Sequence, residues 1–147
     1  MSGKDNHQRK TQNIGNENEQ PKEEKIYDLE ERTYNFSKRV NDYTNKLPFS
    51  ISNIEIRRQL IRAGGSIGAN YIEANEALSR KDFRMRIKIS KKESKEARYW
   101  LRLTGPEKNQ VEEKDNLIPE SIELMKIFAS ILKKSELNDS KKSKTKN

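Results

Sequence analysis

The chain has 147 residues, which suffices for one domain of modest size and leaves little room for two. Charged residues make up 37% and hydrophobic residues 31%, and 31 Lys and Arg against 23 Asp and Glu give a net charge of +8. Cysteine is absent, which excludes disulfides and thiolate metal sites, and the only histidine is His7. No apolar run approaches the roughly 18 residues of a membrane span, so we expect a soluble cytoplasmic protein with no membrane partner. The sequence has no phosphate-binding P-loop and no dinucleotide-binding motif, so we expect no cofactor.

The apolar residues are concentrated in the middle of the chain, and both ends are polar. Residues 1–25 are rich in Asn, Gln, Lys and Glu and cannot offset the entropy of ordering, so we predict a disordered polar leader. Residues 136–147 are rich in Lys and Ser and are predicted to form a solvated, disordered tail, with weak attraction to nucleic acid as the alternative. Residues 26–135 remain as the folded domain.

Two periodic segments open this domain. Over residues 26–46, apolar side chains recur at steps of three and four, which lines one face of a helix that Pro48 ends. The second segment begins near Ser52 or Asn53, both of which are favoured helix caps. It continues with an apolar stripe to about Ala77.

Two further helices follow. The third begins at Ser79, which Asp82 follows as in a capping box, and it ends at Thr104 before a polar loop over residues 105–116. The fourth covers about residues 119–134 and opens with a proline, which suits a first helical turn. No strand-like alternation competes. Four helices with short links predict an all-α fold, an antiparallel up-down four-helix bundle.

The third helix carries most of the excess charge. Seven of its cations fall within about 80° of one another on a helical wheel and form a row roughly 33 Å long. This basic row consists of Arg80, Arg84, Lys88, Lys91, Lys95, Arg98 and Arg102. Like charges at this spacing repel one another, and a bound polyanion relieves the repulsion, so the row is our candidate nucleic-acid-binding site. A merely solvated face is the alternative. No aromatic row accompanies the cations, so backbone or shape recognition is favoured over base stacking.

The same helix has two apolar bands, although a helix in a monomeric bundle needs only one. The first band consists of Phe83, Ile87, Ala97 and Leu101, with small Ser90 and Ser94 between them. The second band, on another side of the helix, consists of Met85, Ile89, Trp100 and Leu103. Because aromatic residues are favoured at interfaces, we interpret the second band as a subunit interface. The alternative is a broad-faced helix lying under the long loop.

Motifs of known chemistry fail on inspection. Residues 64–68 match the G-x-S-x-G pattern around Ser66, but the flanking segments are helical and no histidine accompanies them, so we reject a nucleophile. Gly64 and Gly68 are instead expected to admit a neighbouring helix. Two carboxylate pairs at i,i+3 spacing lack the histidine of di-iron bundles, so ion pairing or solvation is favoured over a metal site. These pairs are Glu73 with Glu76 and Glu93 with Glu96.

A line of polar residues borders the apolar stripe of the second helix, at steps of three and four. It consists of Gln59, Arg62, Ser66, Asn70 and Glu73. Polar groups at a seam between helices need partners, because unsatisfied burial is costly. The line therefore either fixes the geometry of a helix–helix contact or forms a border facing water, and its spacing does not separate the two.

The strings S-I-G-A-N-Y-I-E-A at 66–74 and E-A-R-Y-W-L-R-L at 96–103 resemble a small bacterial four-helix-bundle family. This family includes the proteins encoded in intervening sequences of 23S ribosomal RNA genes. The resemblance covers about residues 27–135. The chain departs from the family at residues 104–106 and at Pro119, so differences are expected at the ends of the third and fourth helices.

The resemblance implies an up-down four-helix bundle that assembles as a ring-shaped homopentamer, without a known reaction. Related accessory proteins of diversity-generating retroelements are basic, bind nucleic acid and bind a reverse transcriptase. We therefore expect a non-enzymatic homo-oligomer that holds RNA or DNA, such as 23S rRNA, on the basic row. The alternative is a structural or protein-interaction module that binds an acidic protein and no nucleic acid. We expect no metal.

Overall fold

The computed structural model describes residues 28–145, so the leader predicted for residues 1–25 lies outside the described residues. Four α-helices follow one another in the described part, and a short 3₁₀ turn over Lys108–Gln110 precedes the last. They are α1 (Leu29–Asn45), α2 (Ile51–Asn75), α3 (Arg80–Leu103) and α4 (Val111–Lys144). The predicted all-α four-helix bundle is confirmed.

The first three helices begin at side-chain caps, which satisfy backbone N–H groups that have no partner within the helix. The Asp28 carboxylate accepts a 3.0 Å hydrogen bond from the N–H of the third residue of α1. The Ser79 hydroxyl likewise accepts from the N–H of Asp82 at 3.1 Å, as the sequence predicts. The cap of α2 is Ser50, so the predicted start at Ser52 or Asn53 is late by two or three residues.

Asn53 has another role, because its buried side chain joins the two loops at one end of the bundle. Its amide nitrogen donates to the carbonyl oxygens of Pro48 and Gly105, both at 3.0 Å. Its amide oxygen accepts from the N–H of Gly105, also at 3.0 Å. One side chain therefore ties the α1–α2 loop to the α3–α4 loop.

The core lies between the four helices, and α3 makes the most extensive contacts with its neighbours. Helix α3 packs against α2 on one side and α4 on the other, and α1 packs against α2. The largest fully buried apolar side chains come from all four helices: Phe36, Val40, Leu60, Ile67, Ile87, Leu101, Leu117, Leu124 and Phe128. Tyr71 extends this cluster, since its ring centroid lies 5.9 Å from that of Phe128.

The start of α4 differs from the prediction. The helix begins at Val111, and Pro119 lies inside it instead of in its first turn. A proline there removes one N–H from the helix, which disfavours it, but Leu117 is completely buried and holds this turn against the core. The helix is also anchored at its start, because the Gln110 side chain donates to the carbonyl of Tyr43 at 3.4 Å.

The end of α4 differs as well. The disordered tail predicted for residues 136–147 is wrong over its larger part, because α4 continues to Lys144. Three lysines in the last turn interact favourably with the negative end of the helix dipole. In addition, Asp139 binds Arg80 and Arg84 of α3, which fixes this end of the helix to the bundle.

Close contact between α1 and α2 depends on glycine. A Cβ atom added to Gly68 would lie 2.8 Å from the hydroxyl oxygen of Thr33, and one added to Gly64 would lie 3.4 Å from Val40. Thr33 is buried and its hydroxyl donates to the carbonyl of Glu30, so it cannot easily move. Gly64 and Gly68 thus admit a neighbouring helix, as their spacing predicts.

This packing gives a test with an internal control. A Cβ atom added to Gly65 would make only ordinary van der Waals contact, 3.8 Å from the Ser37 hydroxyl, so Gly65→Ala should raise the free energy of unfolding by about 0.5–1 kcal/mol through helix propensity. Gly68→Ala should leave the protein about 1–3 kcal/mol less stable than Gly65→Ala, because the new methyl group overpacks against Thr33. Urea denaturation measures both, and equal stabilities would contradict the close contact.

Candidate functional site

The basic row lies on the surface of α3, and its Arg80 end faces α4. Its first two members, Arg80 and Arg84, bind Asp139 of α4, and its last member, Arg102, has its carbonyl bound by the Lys114 ammonium at 3.2 Å. Four members of the row are exposed besides Arg80, and they are Lys88, Lys95, Arg98 and Arg102. The row therefore contacts α4 through the side chains at its Arg80 end and continues along the exposed surface of α3.

The two ends of the row differ in their partners. Asp139 accepts hydrogen bonds from Arg80, at 2.5 Å, and from Arg84. These two bonds hold the pKa of the Asp139 carboxyl below its usual range. The sequence predicts the cations but not this carboxylate, because residues 136–147 read as a solvated tail.

The other five cations remain open. Among the described residues, no carboxylate lies within ion-pair distance of Lys88, Lys91, Lys95, Arg98 or Arg102. Five positive charges thus occupy about 21 Å of helix with no neutralising partner on the described chain. We call these five residues the open row.

The two apolar bands of α3 take different positions. The first band faces the core, where Ile87, Ala97 and Leu101 are completely buried. Members of the second band lie outside it: Met85 and Leu103 are each 48% exposed, and Ile89 and Trp100 are half-buried. Trp100 contacts the edge of the core and the ring of Tyr99, with centroids 5.1 Å apart.

The polar line of α2 runs along the seam with α3. Arg62 lies 3.8 Å from an oxygen of Glu93 and 3.6 Å from an oxygen of Glu96, and its guanidinium also donates to Gln59 at 3.5 Å. This part of the line thus meets charged partners on the neighbouring helix. The sequence predicts ion pairing or solvation for Glu93 and Glu96, and in the structure both lie within ion-pair distance of Arg62.

The second half of the line is less uniform. The Asn70 amide oxygen accepts from Arg86 of α3 at 3.1 Å, and its nitrogen donates to the carbonyl of Ser66 at 2.8 Å. Glu73 is exposed and faces water. The line is therefore a helix–helix seam at Arg62 and Asn70 and a solvated border at its end, a division that spacing alone does not reveal.

Glu93 is the most unusual titratable group of this seam. Its side chain is only 8% exposed, and its Oε2 atom has no hydrogen-bond partner among the described residues. Burial raises the pKa of the Glu93 carboxyl, and the nearby Glu96 carboxylate raises it further, against the opposing pull of Arg62. Sequence spacing shows the carboxylate but not its burial.

Enzymatic motifs gain no geometric support. Ser66 lies within the uninterrupted helix α2, without the strand-to-helix turn that exposes a nucleophile. Between residues 28 and 145, no three His, Cys, Asp or Glu side chains gather where they could hold a metal ion. None of the helices in that range is long and apolar enough to span a bilayer.

The fold and its surfaces define an all-α four-helix bundle whose third helix presents cations on one side and an apolar band on another. A family model extends this assignment, since it matches residues 25–130 and describes the 23S rRNA-intervening sequence protein. The chain belongs to that family.

A solved structure has a similar fold. It is a protein of unknown function from the S23 ribosomal protein family of Bacteroides thetaiotaomicron, with 30% sequence identity and a TM-score of 0.59. The similarity covers 71% of this chain and 97% of that one. None of the functionally curated proteins compared with the chain matches it.

The buried carboxyl gives a pH prediction. The folded state holds the Glu93 proton more tightly than the unfolded chain, so stability should fall as pH rises from about 4.5 through the raised folded pKa. Glu93→Gln should remove this loss, because glutamine does not titrate. The free energy of unfolding of the variant should therefore increase relative to that of the wild type as pH rises across the same interval. Urea denaturation at several pH values measures the difference. Exposed Glu73→Gln is the control, and identical pH profiles for wild type and Glu93→Gln would contradict the assignment.

Proposed function

We propose that this protein is a non-enzymatic homo-oligomer that binds nucleic acid, in particular structured RNA such as 23S rRNA, through the basic row of α3. The observation that carries the proposal is the open row, five cations on one helix face with no carboxylate partner on the described chain. Membership of the 23S rRNA-intervening sequence protein family supports the choice of RNA.

The charge distribution supports phosphate binding more than base recognition. A duplex carries one negative charge per about 1.7 Å of its axis, so a row about 21 Å long meets more phosphates than it has cations. Exposed Arg and Lys side chains contact phosphate oxygens without reading base edges. Tyr99 is the exposed aromatic residue nearest the row, and one ring is too few for a stacking platform. We therefore expect binding governed by backbone and shape.

Assembly is the second part of the proposal, and it draws on two different apolar surfaces. One is the second band of α3, with Met85 and Leu103 exposed. The other is a groove between α1 and α2 in which exposed Tyr34 and Ile72 flank small residues such as Gly65. If the band of one copy contacts the groove of the next, the contact is heterologous, and such contacts form a ring when the rotation between copies closes and an open filament when it does not. The homopentamer of related proteins is the ring that we propose.

A protein partner is the third part of the proposal. By similarity to the accessory proteins of diversity-generating retroelements, a reverse transcriptase is the protein partner that we propose. An acidic protein partner without nucleic acid is the alternative function, since the open row attracts any surface rich in carboxylates.

A salt titration tests RNA binding. Affinity for a duplex RNA should fall steeply between about 50 and 200 mM salt, and Lys88→Glu/Lys95→Glu should weaken it by about tenfold or more. The matched control is Lys38→Glu/Lys46→Glu, which changes the net charge equally on exposed lysines of another surface. Fluorescence anisotropy at each salt concentration measures the affinities. Equal losses in both variants would remove the row from the site, and no binding at low salt would favour the acidic-protein alternative.

Sedimentation tests the assembly. The wild type should sediment as an oligomer at micromolar concentration, and Met85→Glu should shift it toward the monomer, because the charge would be buried at the contact. Met85 is chosen over Trp100 because Trp100 also supports the core. Ile51→Glu is the control, since Ile51 is exposed at the start of α2 and belongs to neither the second band nor the groove. A monomeric wild type would contradict the assembly.

A further inference from the structure

At the Arg80 end of the basic row, two cations already pair with a carboxylate of the same chain. Asp139 is the one carboxylate among the described residues that pairs with any member of the row. It meets both arginines from α4, the neighbouring helix, and not from α3. The row is thus divided into an open part and a part that an internal anion already occupies.

Further cations surround this carboxylate. Arg80, Lys141 and Lys142 line a shallow surface depression together with Asp139, and Arg84 donates to the same carboxylate. Four positive charges therefore gather around one negative charge, which leaves a net charge of +3. Phosphate oxygens suit such a site, because the planar guanidinium of arginine binds phosphate and carboxylate with the same bidentate geometry.

The ion pairs of Asp139 with Arg80 and Arg84 are accessible to solvent, so another anion can replace the carboxylate. The side chain of Asp139 is 33% exposed, and those of Arg80 and Arg84 are 52% and 25% exposed. Ion pairs that reach solvent contribute little to stability and are screened by salt. Another anion can therefore displace this carboxylate without opening the core.

The segment that carries Asp139 is also lightly held. Leu132 is the last residue of α4 that packs against the core, and Leu137 is 51% exposed. The other side-chain hydrogen bonds of the final turns stay within the segment itself. The Asp139 ion pairs are thus the polar link between the end of α4 and α3, and this end can move when they break.

We propose that Arg80, Arg84, Lys141 and Lys142 form a phosphate-binding site that Asp139 occupies in the free protein and yields to a phosphate group of the bound polyanion. The identity of that polyanion rests on the proposed function. The Asp139 carboxylate acts as an internal competitor, which lowers the affinity for phosphate and confines binding to ligands that also engage the open row.

Affinity measurements test the competition. Asp139→Asn should bind duplex RNA at least about threefold more tightly than the wild type at about 100 mM salt. The logarithm of its affinity should also fall more steeply with the logarithm of the salt concentration, by an amount that corresponds to up to two additional phosphate contacts. Asp139→Glu keeps the charge and should bind as the wild type does. Asp115→Asn is the matched control, because it removes an exposed carboxylate of the same helix that has no cationic partner in the described chain. It should not change the salt dependence.

A second measurement separates this inference from the RNA proposal. Inorganic pyrophosphate, titrated against the arginine side-chain NMR signals, should bind Asp139→Asn more tightly than the wild type, and Arg84→Gln should abolish the difference. Amide hydrogen exchange over residues 136–144 should be faster in Asp139→Asn, and pyrophosphate should accelerate it in the wild type.

The outcomes are distinct. If the wild type and Asp139→Asn bind RNA equally, or if Asp139→Asn binds more weakly, Asp139 is not a competitor and the inference falls while RNA binding stands. If neither binds RNA but Asp139→Asn binds pyrophosphate more tightly, the phosphate site stands and the RNA proposal falls. If pyrophosphate binds the wild type and Asp139→Asn equally and RNA binds neither protein, both the phosphate site and the RNA proposal are wrong.

Discussion

The packing of α3 on two sides is the constraint on which the other features depend. Its first apolar band is buried between α2 and α4, so the charged residues and the second apolar band of α3 are placed on the remaining circumference of the helix. The basic row meets α4 at its Arg80 end, and carboxylates occupy the border with α2, where Arg62 meets them. The second band shares its side of the helix with these carboxylates, since Glu96 lines one depression together with Arg62 and Trp100. One helix thereby separates a cationic surface from an apolar one.

The regular part of this arrangement is readable from the sequence. Apolar steps of three and four place the four helices, and the capping pattern at Ser79 marks the start of α3 to the residue. The basic row is equally visible, because it depends on helical geometry within a single element. Local periodicity contains all the information that these features need.

Features that depend on tertiary contacts are not readable in this way. The sequence places a helix start at Pro119, whereas the burial of Leu117 carries α4 through that position. It assigns the chain after residue 135 to a tail, whereas Asp139 finds two arginines that lie 55 and 59 residues away in the chain. The burial of Glu93 is not visible in the sequence for the same reason, since it depends on the packing of α3 against α2.

The amide of Asn53 makes the two ends of the bundle unequal. It bridges two loops through three hydrogen bonds, so opening either loop requires breaking contacts to the other. At the opposite end, the turn between α2 and α3 exposes Leu78 fully and the last turns of α4 project past the core. We therefore expect local unfolding to start at that opposite end and the Asn53 end to keep its structure longer.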